Sequence, residues 1–386
     1  MPVKEQLCPV QAATGGPHHH FFGYYDKTPW DASGRFLLAL EVPFGDRPPG
    51  PDDVARIGLV EPGRGTFEAV AETRAWNWQQ GCMLQWLPGT AGQTIIYNDR
   101  QEGQFVAVLL DLPTGRRRVL PHPIYALSHD GRAALGLNFS RLASERPGYG
   151  YAGVPDPWAH EPAPDDDGVY WLDLQTGERR LLLSLAQVAW WERHPTMEGV
   201  KHRFEHLLWS PDDRRFIVLH RWSRAPQGFF TRLFTAAADG SALCCLAGPE
   251  LVSHFDWRDP QHILAWAWQP GQGAHYYLFT DCSPHSEVVG PDVLTTDGHC
   301  SYSPDRRWIL TDTYPDQASS RTLLLYEPAT DRRIDLARLY SPPHLRGELR
   351  CDLHPRWSRD GRQVCLDSAH TGERQMYVVD VAALTA

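Results

Sequence analysis

A pattern that repeats seven times along the chain restricts its fold more than any other feature. Each copy has an aromatic or apolar anchor residue, a turn of the Ser-Pro-Asp-Gly type and then a hydrophobic strand, as in WSPDDRRFIVL and WSRDGRQVCLD. Short apolar runs bounded by such turns are typical of β-strands. The seven anchors are Trp30, Trp86, Leu127, Trp209, Trp257, Tyr302 and Trp357.

A second pattern, two strands joined by a short Gly, Asp or Pro turn, alternates strictly with the first. IGLVEPGRGTFEAV and LLLYEPATDRRIDLA are two of its copies. One such unit cannot bury both faces of its strands, so seven units predict an all-β, seven-bladed β-propeller with four-stranded antiparallel blades around a central channel. We expect a single domain over residues 1–386, closed by an outer strand from the segment near Leu7 to Val10.

The spacing of the anchors locates two insertions. Successive anchors are 41 to 56 residues apart, except for one interval of 82 residues between the third and fourth copies. The extra residues lie near 140–167 and 184–205. Long insertions in compact repeats often form lids or rims of functional sites.

Four histidines occupy the same position of the repeat, three residues before the anchor in each of the last four blades. They are His206, His254, His299 and His354. The first strand of each blade lies beside the axis of a propeller, and side chains alternate in direction along a strand. One shared register therefore predicts that the four imidazoles converge on one side of the channel.

Converging imidazoles predict a metal site, because neutral imidazole is a common ligand of divalent transition metals. We expect zinc, with manganese as the second choice, and not calcium, which prefers oxygen ligands. Asp256, Asp352 and Ser301 are close in sequence and are candidates to orient the rings. Two questions stay open: whether the ion is structural or catalytic, and whether hydrogen-bonded histidines simply fill a polar channel.

Charge and cysteine content restrict the partners and the compartment. The chain has 37 basic and 47 acidic side chains and a net charge of −10, whereas nucleic acids and anionic membranes are bound by basic surfaces. We therefore expect no nucleic acid and no membrane among its partners. No secretory signal is visible, and the eight cysteines form no CxxC pair. These features predict a cytoplasmic protein with mostly reduced cysteines.

Polar and aromatic clusters occupy segments that we expect at the channel mouth. PHHHFFGYYDKTPW leads into the first blade, WNWQQGCMLQW leads into the second, and YNDR follows within the second. Aromatic faces stack on sugar rings, and amides and imidazoles bind hydroxyl groups. The candidates for substrate binding are His18, His20, Tyr24, Trp78, Gln80 and Asn98.

Segments from His18 to the last blade resemble a known enzyme family. The strings HHHFFGYYDKTPW, WNWQQGCMLQWLP, RPGYGYAG, HLLWSPD, DGHCSYSPD and RCDLHPRWSRDG are similar to those of seven-bladed propeller polysaccharide lyases. The similarity is to ulvan lyases and rhamnosyl-glucuronate lyases and, more remotely, to oligogalacturonate lyases. It implies β-elimination next to a uronic acid, a histidine-bound metal in the channel, and a small or oligosaccharide substrate that carries a carboxylate.

The resemblance also implies a histidine, tyrosine and arginine set at the channel mouth. Tyr149 or Tyr151 matches the family tyrosine, and Arg221 matches its arginine. A tyrosine activated by a nearby arginine or metal is able to remove the C5 proton, to protonate the leaving oxygen, or to do both. Arg221, Arg100 or the metal would neutralise the uronate carboxylate.

The chain departs from that family in the second blade, where the lyases carry two histidines. The residues of this chain there are Gln79 or Gln80 and Asn98 or Arg100. An amide cannot act as a proton-transfer base, although it is able to bind sugar hydroxyls. The candidates to replace the missing base are His18, His20 and His220.

Two other functions remain open on the sequence alone. A hydrolase acting on a sugar acid would use the metal to activate water, and it would not create the ultraviolet-absorbing product of an elimination. A binding or scaffold propeller would use the four histidines only to hold its blades together.

Overall fold

The computed structural model of this chain describes residues 4–224 and 228–385. Within these ranges the strands form seven small sheets, of which six have four antiparallel strands and one has five strands. This arrangement confirms the predicted seven-bladed β-propeller.

The strands follow one another in chain order, with two short ones before the first blade: β1 (Lys4–Glu5) and β2 (Val10–Ala12). Blades one and two contain β3 (His19–Phe21), β4 (Leu37–Val42), β5 (Ala55–Glu61), β6 (Thr66–Thr73), β7 (Gln85–Trp86), β8 (Thr94–Gln101), β9 (Gln104–Asp111) and β10 (Arg117–Leu120). Blades three and four contain β11 (Ala126–Leu127), β12 (Ala133–Gly136), β13 (Gly168–Asp173), β14 (Arg179–Ser184), β15 (His202–Trp209), β16 (Arg215–Ser223), β17 (Phe229–Ala237) and β18 (Cys244–Ala247). Blades five and six contain β19 (Val252–Asp259), β20 (His262–Gln269), β21 (Gly273–Thr280), β22 (Ser286–Val289), β23 (Ser301–Tyr302), β24 (Ile309–Asp312), β25 (Ser320–Glu327) and β26 (Arg332–Tyr340). Blade seven contains β27 (Arg356–Trp357), β28 (Gln363–Ser368) and β29 (Gln375–Asp380).

Short helices occupy the predicted insertions. The first insertion begins in α1 (Phe139–Glu145), and the second contains α2 (Leu185–Trp190) and a 3-10 turn at Pro195–Met197. A further 3-10 turn covers Gly347–Leu349, and α3 (Ala382–Thr385) follows the last strand. Among the described residues, none of the helices has the length and apolar character needed to cross a bilayer.

The Ser-Pro-Asp turns have a recurrent hydrogen-bond pattern that explains the sequence repeat. In blade four, the Ser210 hydroxyl donates to the Asp212 carboxylate at 2.7 Å and accepts from the main-chain N–H of Arg215 at 3.0 Å. Ser128, Ser303 and Ser358 make the same two bonds in blades three, six and seven. Each serine therefore fixes the turn between the first and second strands of its blade.

Three of the tryptophan anchors, Trp86, Trp209 and Trp257, donate a hydrogen bond to the blade before their own. Trp86 donates its indole N–H to the carbonyl of Pro29 in blade one, and Trp209 donates to the carbonyl of Ala126 in blade three. The anchors are buried, and the hydrophobic clusters of the core lie between adjacent blades. First strands of neighbouring blades also contact each other, as β19 and β23 do, so these strands line the central axis.

The N-terminal segment closes the ring, as the sequence predicts. The outer strand of blade seven is β2, which pairs antiparallel with β29 and joins Val10 to Val379 and Ala12 to Tyr377. The strand β2 begins at Val10, the last residue of the segment predicted to close the ring. In addition, β1 pairs parallel with β26 and adds a fifth strand to blade six.

Removal of residues 1–12 should open this closure. We expect the melting temperature to fall by about 2–3 °C, equivalent to about 2 kcal/mol for a chain of this size, because β29 loses its neighbour. Calorimetry of the truncated protein tests this. Removal of residues 1–6, which takes β1 and leaves β2, is the matched control; an equal loss in both proteins would contradict the role of β2.

One cysteine pair departs from the expected reduced state. Cys244, at the start of β18, forms a disulfide with Cys282, which follows β21 in blade five. The other six cysteines are free. The partners are 38 positions apart and carry no recognisable pairing signal in the sequence, because only the packing of blade four against blade five brings the two thiols together.

Candidate functional site

The four histidines are buried at the axis, but only two of them lie within first strands. His206 and His254 belong to β15 and β19, whereas His299 and His354 precede β23 and β27. His206 and His354 have left-handed backbones, with φ of 55° and 41°, and Met83 at the same repeat position in blade two has a φ of 52°. Strict strand alternation therefore does not set their direction. Such backbone strain is concentrated at functional sites.

Three of the four imidazoles lie side by side. The ring centroids of His254 and His299 are 4.1 Å apart, and those of His299 and His354 are 4.4 Å apart. Ligand atoms of His299, His354 and the Asp352 carboxylate all lie within 4.8 Å of one another. This cluster, His254, His299, Asp352 and His354, is called the channel cluster below.

Hydrogen bonds orient two rings of the channel cluster. The Nδ1 of His299 lies 2.8 Å from Asp312, which fixes the ring so that Nε2 points away from that carboxylate. The Nδ1 of His254 lies 3.0 Å from Asp297. The Nε2 atoms of His299 and His354 are buried and have no hydrogen-bond partner among the described residues. Buried polar atoms usually have hydrogen-bond partners, so these two nitrogens are suited to bind a ligand from outside the protein, such as a metal ion.

The fourth histidine, His206, has a different environment. Its ring stacks on that of Tyr24 with centroids 4.9 Å apart, and Tyr24 also contacts His354 at 5.0 Å. Its Nδ1 lies 3.2 Å from the Tyr125 hydroxyl, and its Nε2 lies 3.4 Å from Glu205. Burial lowers the pKa of His206 to about 3, so the ring is neutral. Both nitrogens have neighbours within the protein, unlike those of His299 and His354.

Tyr149 lies next to this group and between two arginines. Its phenol oxygen accepts a hydrogen bond of 2.5 Å from Nη2 of Arg350, and the Arg146 guanidinium lies 4.7 Å from its ring centroid. Its ring contacts those of Tyr24 and His206 at 6.5 and 5.8 Å. A guanidinium that donates to a phenol oxygen stabilises negative charge on this oxygen.

Two glycines explain how the chain places Tyr149. Gly148 has a φ of +90°, and a Cβ added to it would lie 3.2 Å from Cγ of Glu348. A Cβ on Gly150 would overlap the main chain of α1 at Phe139 and Ala143. Because both positions exclude a side chain, the segment packs against α1 on one side and the 341–352 loop on the other.

Arg350 connects Tyr149 to the channel cluster. Its Nε donates to Oδ2 of Asp352 at 2.6 Å, and Arg321 lies 2.7 Å from Oδ1 of the same carboxylate. Burial alone would raise the pKa of Asp352, but Arg350 and Arg321 hold it well below its usual range. The carboxylate is therefore ionised, and one guanidinium bridges it to the tyrosine.

A second arginine group surrounds Glu205 in blade four. Arg203 donates to this carboxylate at 2.5 Å, Arg221 donates to its other oxygen, and Arg146 lies 4.0 Å away. Burial would raise the pKa of Glu205, but Arg221 and Arg203 hold it well below its usual range. The charge of Arg221 is thus neutralised within the protein, whereas the Nε of Arg146 has no hydrogen-bond partner among the described residues.

Glu205→Ala should destabilise the protein strongly. Its removal leaves two buried guanidinium groups unpaired, and breaking a buried ion pair in this way costs about 3–5 kcal/mol. Chemical denaturation measures this loss. The matched control is Glu68→Ala, at an exposed position of β6, for which we expect a change below about 0.5 kcal/mol; a similar small change for Glu205→Ala would contradict the ion-pair assignment.

Two predicted site residues belong to the core between blades two and three. Tyr151 is 1% exposed and stacks on Phe139 with ring centroids 4.4 Å apart. Asn98 is fully buried, and its amide donates to the Ile124 carbonyl and to the Tyr151 hydroxyl. Their polar groups satisfy each other and the backbone, so these positions do not fit the predicted catalytic and sugar-binding roles.

Two further predictions conflict with burial. His220 lies within blade four, where its two nitrogens contact Nδ1 of His202 at 2.9 Å and Nη2 of Arg232 at 3.2 Å. Trp78 is 2% exposed and donates its indole N–H to the Arg47 carbonyl. With no accessible ring nitrogen or aromatic face, His220 does not fit the role of a base and Trp78 does not fit that of a sugar platform.

The remaining predicted residues lie mainly in blade one and its neighbours. His18 and His20 both contact Oε2 of Glu41, at 3.3 and 3.1 Å. Arg100 donates to the Pro51 carbonyl at 2.7 Å. Gln80 does reach the axis, where it donates to the Tyr125 hydroxyl and lies 3.3 Å from Nδ1 of His206. Its contacts position His206.

Sequence reasoning did not assign Arg350 or Arg146, and it placed Asp352 only as an orienting group. A signal for Arg350 and Asp352 exists, because they lie only four and two residues before the predicted ligand His354. Arg146 lies in the string RPGYGYAG, three residues before Tyr149, but this string predicts no role for it. Its position depends on α1 and on the loop that follows it.

Comparisons with known proteins bear on the fold. A scan against models of known protein families finds no match, and a search of curated proteins finds none. Among solved structures, the chain is similar to an oligogalacturonate lyase from Vibrio parahaemolyticus, with a TM-score of 0.67 and 14% identity over 97% of this chain and 94% of that chain. It is also similar to an oligogalacturonate lyase in complex with manganese, with a TM-score of 0.66 and 16% identity over 98% of both chains.

A third similar structure is the β-propeller domain of the trilobed protease from Pyrococcus furiosus, with a TM-score of 0.53 and 11% identity over 96% of this chain and 94% of that one. Of the three lyase families that the sequence resembles, these structures include oligogalacturonate lyases. They do not include an ulvan lyase or a rhamnosyl-glucuronate lyase. At such identities the likeness establishes the propeller fold, and function has to be argued from the site.

Proposed function

We propose that this protein is a lyase that cleaves uronic-acid-containing oligosaccharides by β-elimination, with Tyr149 as the proton-transfer residue. The observation that carries the proposal is the position of the Tyr149 phenol, which accepts a hydrogen bond from Arg350 and lies beside Arg146. The similarity in fold to two oligogalacturonate lyases over nearly the full length of each chain supports the same class of substrate.

Elimination requires a base for the C5 proton and an acid for the leaving oxygen. The Tyr149 phenolate removes the proton, the electron pair of the C5–H bond forms the C4–C5 double bond, and the C4–O bond breaks. The leaving oxygen then takes the proton from the Tyr149 phenol, so one residue performs both transfers. Arg350 stabilises the phenolate before the proton moves.

Tyr24 is less suited to this role although it is adjacent. Burial and the neighbouring Tyr149 raise the pKa of Tyr24 well above its usual range, so it remains a neutral phenol. Its hydroxyl lies 3.5 Å from Nε2 of His206. Tyr24 therefore binds and orients groups in the channel but does not remove protons.

The acidity of the C5 proton depends on neutralisation of the uronate carboxylate. Arg146 is the guanidinium suited to this task, because its side chain is 28% exposed and its closest carboxylate, Glu205, is 4.0 Å from the buried Nε, beyond hydrogen-bond distance. The sequence favoured Arg221 and Arg100 instead. Arg221 is engaged by Glu205, and Arg100 lies 3.6 Å from the Asp52 carboxylate and donates to the carbonyls of Pro51 and Gly153.

The channel cluster fits a divalent metal ion. The unpartnered Nε2 atoms of His299 and His354 would bind it with His254, and a carboxylate oxygen of Asp352 retains a lone pair for it beside its arginine. A bound ion would act there as a Lewis acid that helps to neutralise the substrate carboxylate. His206 is outside this set.

Manganese is our first choice for this ion, ahead of zinc. A donor set that mixes imidazole with carboxylate oxygen suits manganese, whereas zinc was expected from imidazoles alone. The similar oligogalacturonate lyase with manganese supports the same choice.

A panel of uronides tests the proposed function. Purified protein with added Mn²⁺ is incubated with oligogalacturonates, glucuronate-containing oligosaccharides and ulvan fragments, and absorbance in the ultraviolet is followed. We expect absorbance to rise with at least one of them, because only elimination creates a conjugated product. New reducing ends without absorbance would indicate hydrolysis, and no turnover of any uronide would contradict the proposal.

A further inference from the structure

A cavity of about 460 Å³ lies beside blade one and is not used by the proposed reaction. His19 begins β3, Phe44 and Asp46 follow β4, and the other walls include His344, Leu345 and Arg374. Its volume is within the range of small-molecule sites, about 300–1,000 Å³. We call it the rim cavity.

The rim cavity lies at the same end of the propeller as Tyr149 and the channel cluster. His19 starts the first strand of blade one, and Phe44 follows the second strand, so both are at the end where first strands begin. His254 lies near the start of the first strand of blade five. His344 also belongs to the 341–352 loop that carries Arg350, so one loop borders both the rim cavity and the site.

Arg374 places a buried positive charge in the wall of the rim cavity, which also contains the Asp46 carboxylate. It is 6% exposed, and its Nη2 donates to the carbonyls of Leu349 and Arg350 at 2.8 and 3.1 Å, while Nη1 donates to the carbonyl of Trp78 at 3.3 Å. These partners are neutral, and within the described residues Arg374 has no carboxylate partner. A buried guanidinium without an anion is a favourable partner for one.

The opposite wall is built around His19. Its Nδ1 accepts the main-chain N–H of Arg374 at 3.2 Å, and the edge of its ring faces Trp78 with centroids 6.3 Å apart. A Cβ added to Gly45 would lie 2.6 Å from Cε1 of His19, so only glycine leaves the ring in place. Burial and Arg374 lower the pKa of His19, which keeps the imidazole neutral and able to bind a hydroxyl group.

We propose that the rim cavity is a second saccharide subsite, which binds an acidic sugar unit of the same oligosaccharide away from the bond that is cleaved. Arg374 takes the carboxylate of this unit, and His19, His344 and Asp46 take its hydroxyl groups. The inference rests on the proposed function for the identity of the ligand, but it concerns residues outside the reacting centre. It predicts that the protein prefers chains of several acidic units over a single one.

The test measures binding rather than turnover. In a Tyr149→Phe background, which prevents cleavage, calorimetry with trigalacturonate compares Arg374→Gln and His344→Ala with the parent. We expect Arg374→Gln to weaken binding about tenfold, as loss of a charged hydrogen bond does, and His344→Ala to weaken it about threefold. Galactotriose, which lacks carboxylates, should bind Arg374→Gln and the parent with similar affinities.

Arg346→Gln is the matched control, since Arg346 is an exposed arginine of the same loop and does not line the cavity. Parent-like binding of trigalacturonate by Arg374→Gln, equal losses in Arg374→Gln and Arg346→Gln, or no binding by any protein would overturn the subsite. Because Arg374 also supports the Arg350 loop, the surface variant His344→Ala keeps the test valid if Arg374→Gln fails to fold.

The outcome separates this inference from the proposed function. If the unmodified protein produces no unsaturated uronide but Arg374→Gln still weakens trigalacturonate binding, the subsite stands and the lyase proposal fails. If cleavage occurs while binding is insensitive to both cavity substitutions, the lyase proposal stands and the subsite fails.

Discussion

Tyr149→Phe is expected to reduce the rate of uronide elimination by about 10²–10⁴-fold, the usual contribution of a positioned acid–base group. The substitution removes a single oxygen, the one that accepts the hydrogen bond from Arg350. The ring, its contact with Tyr24 and the flanking glycines remain, so the fold should be preserved. Ultraviolet absorbance of the unsaturated product measures the rate, and circular dichroism verifies the fold.

Tyr151→Phe is the control for this result, because it is the same chemical change two residues away. Its hydroxyl bonds to Asn98 in the core, so we expect a loss of about 1 kcal/mol in unfolding free energy and near-normal turnover by the folded protein. Retention of full activity by Tyr149→Phe, or equal losses in the two variants, would show that Tyr149 does not transfer the proton.

Substitution of the channel histidines is expected to abolish metal binding. His299→Ala and His354→Ala each remove an unpartnered buried nitrogen, and we expect at least about 100-fold weaker binding, since even residues that only orient metal ligands contribute about 10–100-fold. Elemental analysis after dialysis against Mn²⁺ or Zn²⁺ gives the occupancy and the preferred ion. The melting temperature with and without a chelator gives an independent measure, because an ion that binds only the folded chain stabilises it.

Two controls accompany the metal experiment. His285→Ala changes a surface histidine beside Glu287 and should leave occupancy unchanged. His206→Ala should also retain the ion, because that ring faces Tyr24, Tyr125 and Glu205. If His206→Ala loses the ion as fully as His299→Ala does, the original expectation of four convergent ligands is the better description.

The fold follows from the sequence because its determinants are local and repeated. The Ser-Pro-Asp turn is stabilised within a few residues, as at Ser210, and anchors such as Trp86 and Trp209 bond to the preceding blade. A pattern of this kind is visible without knowing which distant segments meet. The sequence also predicts the closing strand, because the last repeat contains one strand fewer than the others.

The site was only partly predictable because its determinants are not local. The shared register of the histidines locates the axis, but the left-handed backbones of His206 and His354 and the insertion of Tyr24 decide which rings meet. Their contacts then separate residues that look equivalent in sequence. Tyr149 and Tyr151 are two residues apart, yet one contacts two arginines and the other stacks in the core.

The ring closes between the first and the last blade, so residues from both ends of the chain are needed to form the site. Tyr24 belongs to the first blade and His354 to the last, and the pairing of β2 with β29 is the junction at which the two ends of the chain meet. During synthesis, more than three hundred residues are added after Tyr24 before its neighbour His354 is present in the chain. The candidate site is therefore complete only in the finished molecule, because a nascent chain with six blades still lacks the last blade and His354.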